Sequence, residues 1–295
     1  MPINSLKDVI DAEVNNGFSQ YSFRKVPSQV SVANVWYDLA LAPGTPAPKY
    51  WFDATPLVAQ QVKQSTDGGI YHGENVAPRK KYARQFTYFE NSTTSGAYYY
   101  KMMVCDYLLY YPSVDESSTD EQFTDNTNTL PRYTDGEGVQ VMAVTLAART
   151  GGQTFSFKYT NQDGVSDRVS QTARLNAYPS IGVIATSDMA QLHSMQPFIG
   201  LQEGDTGVRS IESVTMNGAD VGLFALVLVK PLFSLHQGIS TSIASTWLQM
   251  TEKDLLEGNQ LPEIQDDAYL NIVTCMNGTG MNTVAHMGSL KVITV

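Results

Sequence analysis

The chain has 295 residues and a formal net charge of −10, with only 16% charged residues against roughly 25% in typical soluble domains. That length buries a substantial core, as one large β domain or two smaller ones. The acidic excess excludes a sequence-independent grip on nucleic acid, where Lys and Arg must neutralise phosphates.

The first element is a helix. Ser5 can serve as N-cap with Asp8 at N3, Leu6, Val9, Ile10 and Val14 make one apolar face, and Gly17 supplies a left-handed stop. A helix of about three turns is too short to stand alone in water. Its apolar face is therefore expected to dock on the body or on a neighbouring chain. Residues 1–17 are read as an N-terminal helical arm and 18–295 as a β-sandwich body, with one sandwich or two left open. The opening residues lack the basic and apolar regions of a signal peptide, and the longest apolar stretch, Val221–Leu232, is too short to span a bilayer. The expected setting is a reducing cytosol, with no membrane partner.

From Phe18 onward the pattern alternates strand and turn. Expected strands are Ser19–Val26, Val30–Leu41, Ala83–Glu90, Ala97–Tyr111, Val139–Ala147, Gln153–Thr160, Ser180–Thr186, Gly207–Met216, Val221–Val229, Ile239–Gln249, Ala268–Cys275 and Thr283–Val295. In the sixth, Phe155, Phe157 and Tyr159 face one way and Thr154, Ser156 and Lys158 the other. The fold class is mainly β, a sandwich or jelly roll.

Three loops look long. Pro43–Pro56 holds four prolines around Tyr50-Trp51-Phe52, which read as presented aromatic tips. Pro112–Gly138 carries seven acids against the single Arg132; it reads as a solvated loop, a partner contact or, without an EF-hand pattern, a cation site. Thr251–Asp267 suggests a short helix capped by Thr251 and broken at Gly258 and Pro262.

No catalytic constellation is visible. His72, His193, His236 and His286 lack metal-ligand spacing, and Cys105 and Cys275 fit neither a disulfide framework nor a zinc site. No nucleophile elbow, phosphate loop or dinucleotide fingerprint occurs. The expectation is a protein without enzymatic activity, cofactor or metal, although two distant glycosidase carboxylates would leave no trace in sequence.

The features that remain point to protein partners. The run Ala97–Tyr111 contains Tyr98, Tyr99, Tyr100, Tyr107, Tyr110 and Tyr111. Both its faces are apolar or amphipathic, so it needs cover on two sides, and it reads as a buried contact between subunits. Arg79, Lys80, Lys81 and Arg84 form the one basic cluster, a solvated loop or a docking arm for an acidic neighbour. Trp36 and Trp247 read as core and Trp51 as surface; an exposed aromatic could also stack on sugar rings.

The segments SLKDVIDAEVNNGFSQYSF and VGLFALVLVKPLF, set in an acidic, Thr/Asn/Gly-rich chain, resemble the capsid-associated structural proteins of tailed bacteriophages, head decoration or cement proteins in particular. The chain departs from the major capsid protein pattern, which needs a long amphipathic spine helix. The resemblance implies a virion protein, assembled in the host cytoplasm, that binds the major capsid protein or other virion subunits and holds an expanded shell together. Closed homotrimers would suit the symmetry axes of such a shell. On that expectation the tyrosine run is the oligomer contact, while Arg79–Arg84 and Tyr50, Trp51 and Phe52 face the shell. The alternative is a host-attachment module that binds a receptor or glycan through its aromatics.

Overall fold

Helix α1 (Leu6–Val14) begins where the capping chemistry places it. Ser5 Oγ accepts from the Asp8 amide at 3.3 Å, and the Asp8 carboxylate accepts from the Ser5 amide at 2.9 Å. Gly17 then takes a positive φ of 73° that turns the chain into the first strand. The computed structural model describes residues 3, 5–15, 17–30, 32–92, 99–149, 152–175, 180–185, 196–236, 247–257, 261–276, 282 and 284–295; side chains are described for these except 91–92, 99–100, 247–249 and 276.

The strands are β1 (Phe18–Lys25), β2 (Trp36–Asp38), β3 (Gly44–Thr45), β4 (Gln60–Gln61), β5 (Lys81–Ser92), β6 (Tyr99–Asp115), β7 (Gln122–Phe123), β8 (Gln140–Thr145) and β9 (Thr154–Asn161). They continue with β10 (Arg168–Val169), β11 (Ala173–Arg174), β12 (Val208–Met216), β13 (Leu223–His236), β14 (Trp247–Asp254), β15 (Glu263–Ile264), β16 (Tyr269–Met276) and β17 (Val284–Thr294). A single helical turn, α2 (Gln64–Asp67), lies between β4 and β5. The protein is mainly β and sandwich-like, as expected.

Among the described residues these strands form three antiparallel sheets. A central sheet runs β2-β16-β6-β13-β8, with β4 also on β6. A terminal sheet, holding the first and last strands, runs β14-β5-β17-β1-β3, with β15 on β5; a distal sheet runs β10-β9-β12-β7, with β11 on β9. The long pair β6 and β13 organises them. Val104 pairs with Phe233 and Leu109 with Leu228, while Leu108 and Leu232 are the extra residues of two bulges.

One face of the central sheet therefore carries Met102, Val104, Phe233 and Leu235 at one end, packed with Phe23, Phe86, Tyr88 and Leu290 of the terminal sheet. At the other end Leu109, Tyr111, Leu226 and Leu228 pack with Phe155, Phe157, Tyr159 and Ile211 of the distal sheet. Both outer sheets thus pack on one shared sheet. The opposite face carries Cys105, Tyr107, Tyr110, Val227 and Val229, covered by Trp36, Leu41, Trp51, Val62, Ile184 and Phe198. A strand buried on both faces reads as a near-continuous apolar run, which is the texture of Ala97–Tyr111 and Val221–Leu232.

Several expectations need correction. The expected strand Val30–Leu41 shrinks to β2 followed by a 3-10 turn over Leu39–Leu41. Residues 180–185 make only bridges, Val183 to Tyr37 and Ile184 to Val144; Thr186 lies outside the described residues. Most of Ile239–Gln249 also lies outside them, and β14 runs on to Asp254. The helix expected from Thr251 is absent: Thr251, Glu252 and Lys253 continue the ladder with Tyr88, Thr87 and Phe86, because pairing with β5 outweighs local helix signals.

Pro112–Gly138 is a solvated loop only in part: Asp115, Asp120, Asp125, Asp135 and Glu137 are exposed. β6 continues through Pro112 to Asp115, β7 pairs with β12, and the one basic residue, Arg132, is buried. Arg132 grips Asp106 through two bonds of 2.8 and 2.7 Å and donates to the Val62 and Tyr107 carbonyls. The Tyr269 amide adds a third bond to Asp106.

Candidate functional site: an aromatic-rimmed pocket and an exposed helical ridge

The central sheet fixes the tyrosine run first. Tyr107, Tyr110 and Tyr111 are buried inside this chain's own core, so they are not a subunit contact. Their hydroxyls donate inward, Tyr107 to Asp38 at 2.7 Å, Tyr110 to Asp53 at 2.9 Å and Tyr111 to Asn126 at 2.6 Å. The two-sided cover that the run demands comes from the terminal and distal sheets on one face and from residues 36–62 with Ile184 and Phe198 on the other, which sequence proximity could not reveal. Tyr98 lies outside the described residues; Tyr99 and Tyr100 belong to the β6 backbone, with side chains outside the description.

Trp51 is likewise corrected from surface to core. Its ring stacks on Tyr107 at 5.5 Å and its Nε1–H donates to Asp38 at 2.7 Å. Asp38 also accepts from the Ala40 amide at 2.9 Å. Burial nonetheless pushes the Asp38 carboxyl above its ordinary range, against the pull of its donors and of nearby Lys25. Lys25 is itself buried, and desolvation lowers its pKa to about 8. Its ammonium donates to the Ala42 carbonyl at 2.9 Å and lies 3.4 and 3.5 Å from those of Ala40 and Ala47.

With Trp51 pinned inward, its neighbours turn out. Tyr50 and Phe52 are exposed and stack on each other at 5.3 Å. They rim a cavity of about 300 Å³ whose lining includes the buried Tyr37, Leu39 and Pro27 and the exposed Pro43. Both Asp38 oxygens are held by Ala40, Tyr107 and Trp51. The polar side chains that line the pocket besides Asp38 and the tyrosines are Ser28 and Gln29.

The basic cluster does not form one patch. Arg79 is exposed, and Lys80 pairs with Glu263 at 2.6 Å. Lys81 is buried; it donates to His72 Nδ1 at 3.0 Å and to the Glu74 carbonyl at 3.0 Å, beside Asp266 at 3.4 Å. His72 Nε2 faces the Ala268 carbonyl at 2.8 Å, so Nε2 carries the proton and Nδ1 accepts. Arg84 bonds Glu13 and Asp254. As docking residues, Lys81 and Arg84 are corrected: one is enclosed and the other ties α1 to the body.

One open apolar surface lies on α1. Val9 and Ala12 dock against Tyr82 and Ile293, and Glu13 is held by Arg84 and Lys291. Leu6, Ile10 and Val14, expected to share the docked face with Val9, are instead 61%, 50% and 74% exposed, and Phe18 just beyond is 52% exposed. Leu6, Ile10 and Val14, one turn apart in sequence, thus form a ridge in water beside a second apolar groove lined by Leu6, Tyr82, Leu256 and Leu261, while the Phe18 ring lies 4.0 Å from Lys291 Nζ. Scattered exposed apolar residues are ordinary; a contiguous set marks contact surfaces.

Among the described residues no three His, Cys, Asp or Glu side chains cluster as metal ligands, and no helix is long and apolar enough to cross a membrane. Cys105 and Cys275 are buried, and neither is in a disulfide.

No known family model matches the chain, and no curated protein sequence matches it. Among solved structures it is similar to the VP2 subviral particle of infectious bursal disease virus, at 7% identity over 99% of this chain and 87% of that chain, with a TM-score of 0.16. A structure of the Gx strain of infectious bursal disease virus gives 7% identity over 94% and 80%, with a TM-score of 0.15. Likenesses this slight carry no argument about fold or function.

Proposed function

We propose that this chain is a non-enzymatic structural protein that works through protein–protein contacts. The observation that carries the reading is the ridge of Leu6, Ile10 and Val14, left open on a helix that is otherwise tied down by Val9, Ala12 and Glu13. An apolar ridge on a short anchored helix offers contact area with little ordering cost. The finer assignment, a tailed-phage head protein that binds capsid subunits and reinforces the shell, rests on the sequence resemblance alone.

Co-sedimentation with capsid shells stripped of their minor proteins tests it. The chain should pellet with shells, and an Ile10→Glu variant should pellet several-fold less. If the wild-type chain stays in the supernatant, the shell assignment is wrong. The second reading is a host-attachment module, favoured by the exposed Tyr50–Phe52 pair over its cavity. Glycan-array binding lost on Phe52→Ala, with no shell binding, would put that reading first.

A further inference from the structure

We infer that the α1 ridge pairs with the same ridge of a second copy of this chain, the two helices running antiparallel about a two-fold axis at Ile10. This deepens the preceding proposal by naming a partner, and it rests on the reading of the ridge as a contact. At 100° per residue the ridge midpoint lies roughly 130° round the helix axis from the midpoint of Val9 and Ala12, so the body does not stand between the ridge and a partner.

The pattern on α1 is self-complementary. Leu6 and Val14 are equally spaced about Ile10, so an antiparallel copy sets Leu6 against Val14 and Ile10 against Ile10. One flank carries Lys7 and, one turn on, Asp11, both solvent-facing, joined within the chain at 2.8 Å. In the antiparallel pair this flank meets the same flank of the other copy. Lys7 then stands within about 3 Å, along the axis, of Asp11 of the second copy, and the reciprocal pair forms as well. An unlike partner would need its own apolar ridge with the same two charges in reverse order. The other flank presents Glu13, whose charge is already met by Arg84 and Lys291, so it does not repel its counterpart. The contact is small, and a dissociation constant in the micromolar range is expected.

Sedimentation equilibrium on the full chain over a concentration series up to about 100 μM covers that range. Wild type should be a reversible dimer, and Ile10→Glu should raise the dissociation constant at least about 100-fold. Ile10 is half exposed, so that variant should fold. Lys7→Glu makes the flank all acidic and Asp11→Lys makes it all basic; each suits its end of the helix dipole. Each variant should self-associate at least about tenfold more weakly than wild type, and an equimolar mixture should recover a dimer. A helix pair merely stabilised within one chain cannot give that recovery.

A wild-type chain that stays monomeric throughout overturns the inference, as do Ile10→Glu dimers of wild-type strength or a mixture no better than its components. A monomer that still pellets with shells removes this pairing and leaves the structural role intact. A dimer that ignores shells removes the shell and leaves the pairing.

Discussion

At the scale of single residues, Asp38 decides what the aromatic loop presents. Its carboxylate takes the Trp51 indole, the Tyr107 hydroxyl and the Ala40 amide, and so turns Trp51 in and Tyr50 and Phe52 out. Asp38→Ala would strand two buried side-chain donors, each costing about 1–3 kcal/mol. The expected loss is therefore roughly 2–5 kcal/mol in urea unfolding, with Trp51 emission shifted to the red. Asp38→Asn keeps one acceptor oxygen and should lose less. A blue emission maximum unchanged in Asp38→Ala would show that packing on Tyr107, and not this bond, seats the indole. Nothing near Trp51 in the chain announces an acceptor thirteen positions upstream, which is why its neighbouring prolines suggested exposure.

At the scale of elements, a buried cation of the acidic segment after β6 ties that segment to the central sheet. Arg132 reaches into the central sheet, satisfies both Asp106 oxygens and caps two carbonyls. Arg132→Met leaves Asp106 buried with its charge unmet, a change that costs about 3–5 kcal/mol when one partner of a buried pair is removed. Hydrogen exchange should rise first over residues 130–134, since bonds of Asn126, Asn128 and Gln61 hold the chain before them and bonds from Arg209, Thr206 and Lys230 hold the chain after them. Uniform exchange across the segment and the β6 core, with unchanged stability, would show that the pair adds nothing net. The segment's composition predicted solvation, which holds for five of its seven acids, and gave no sign that Glu116 and Arg132 would be buried. Elements whose signals are local were legible: the Ser5–Asp8 capping box, the Gly17 stop, and the alternation of Phe155, Phe157 and Tyr159 in β9, all buried. Elements decided across the fold were not. Thr251–Asp254 has helical capping signals yet lies in β14.

At the scale of the whole molecule, the sequence told that β6 needs cover on both faces, and left open who supplies it. The chain covers it itself, with the terminal and distal sheets on one side and residues 36–62 on the other. The open apolar area moves to α1, whose face splits between Val9 and Leu6–Ile10–Val14. Self-covering of this kind buries titratable groups, and stability should follow pH accordingly. Burial lowers His286 to about 3, and burial followed by the neighbouring Lys81 charge lowers His72 to about 4, both from 6.5. In each case the folded pKa lies below the unfolded one. The contribution is thus fully present above about pH 6.5 and is lost as pH falls, down to pH 4 for His72 and pH 3 for His286. Each histidine gives a slope of about 1.4 kcal/mol per pH unit within its window. Glu116 acts in the opposite sense. Burial raises it to about 7 despite Arg149 at 2.9 Å, so its contribution is lost as pH rises from 4.5 towards 7. Comparing wild type with His286→Asn cancels Glu116 and the buried Asp38 and Asp106, which are common to both proteins. In urea unfolding at pH 7, 6, 5 and 4, the stability difference between the two should shrink by about 1–1.5 kcal/mol per unit below pH 6.5. A difference that stays constant to pH 4 would mean that His286 keeps its ordinary pKa and is reached by water.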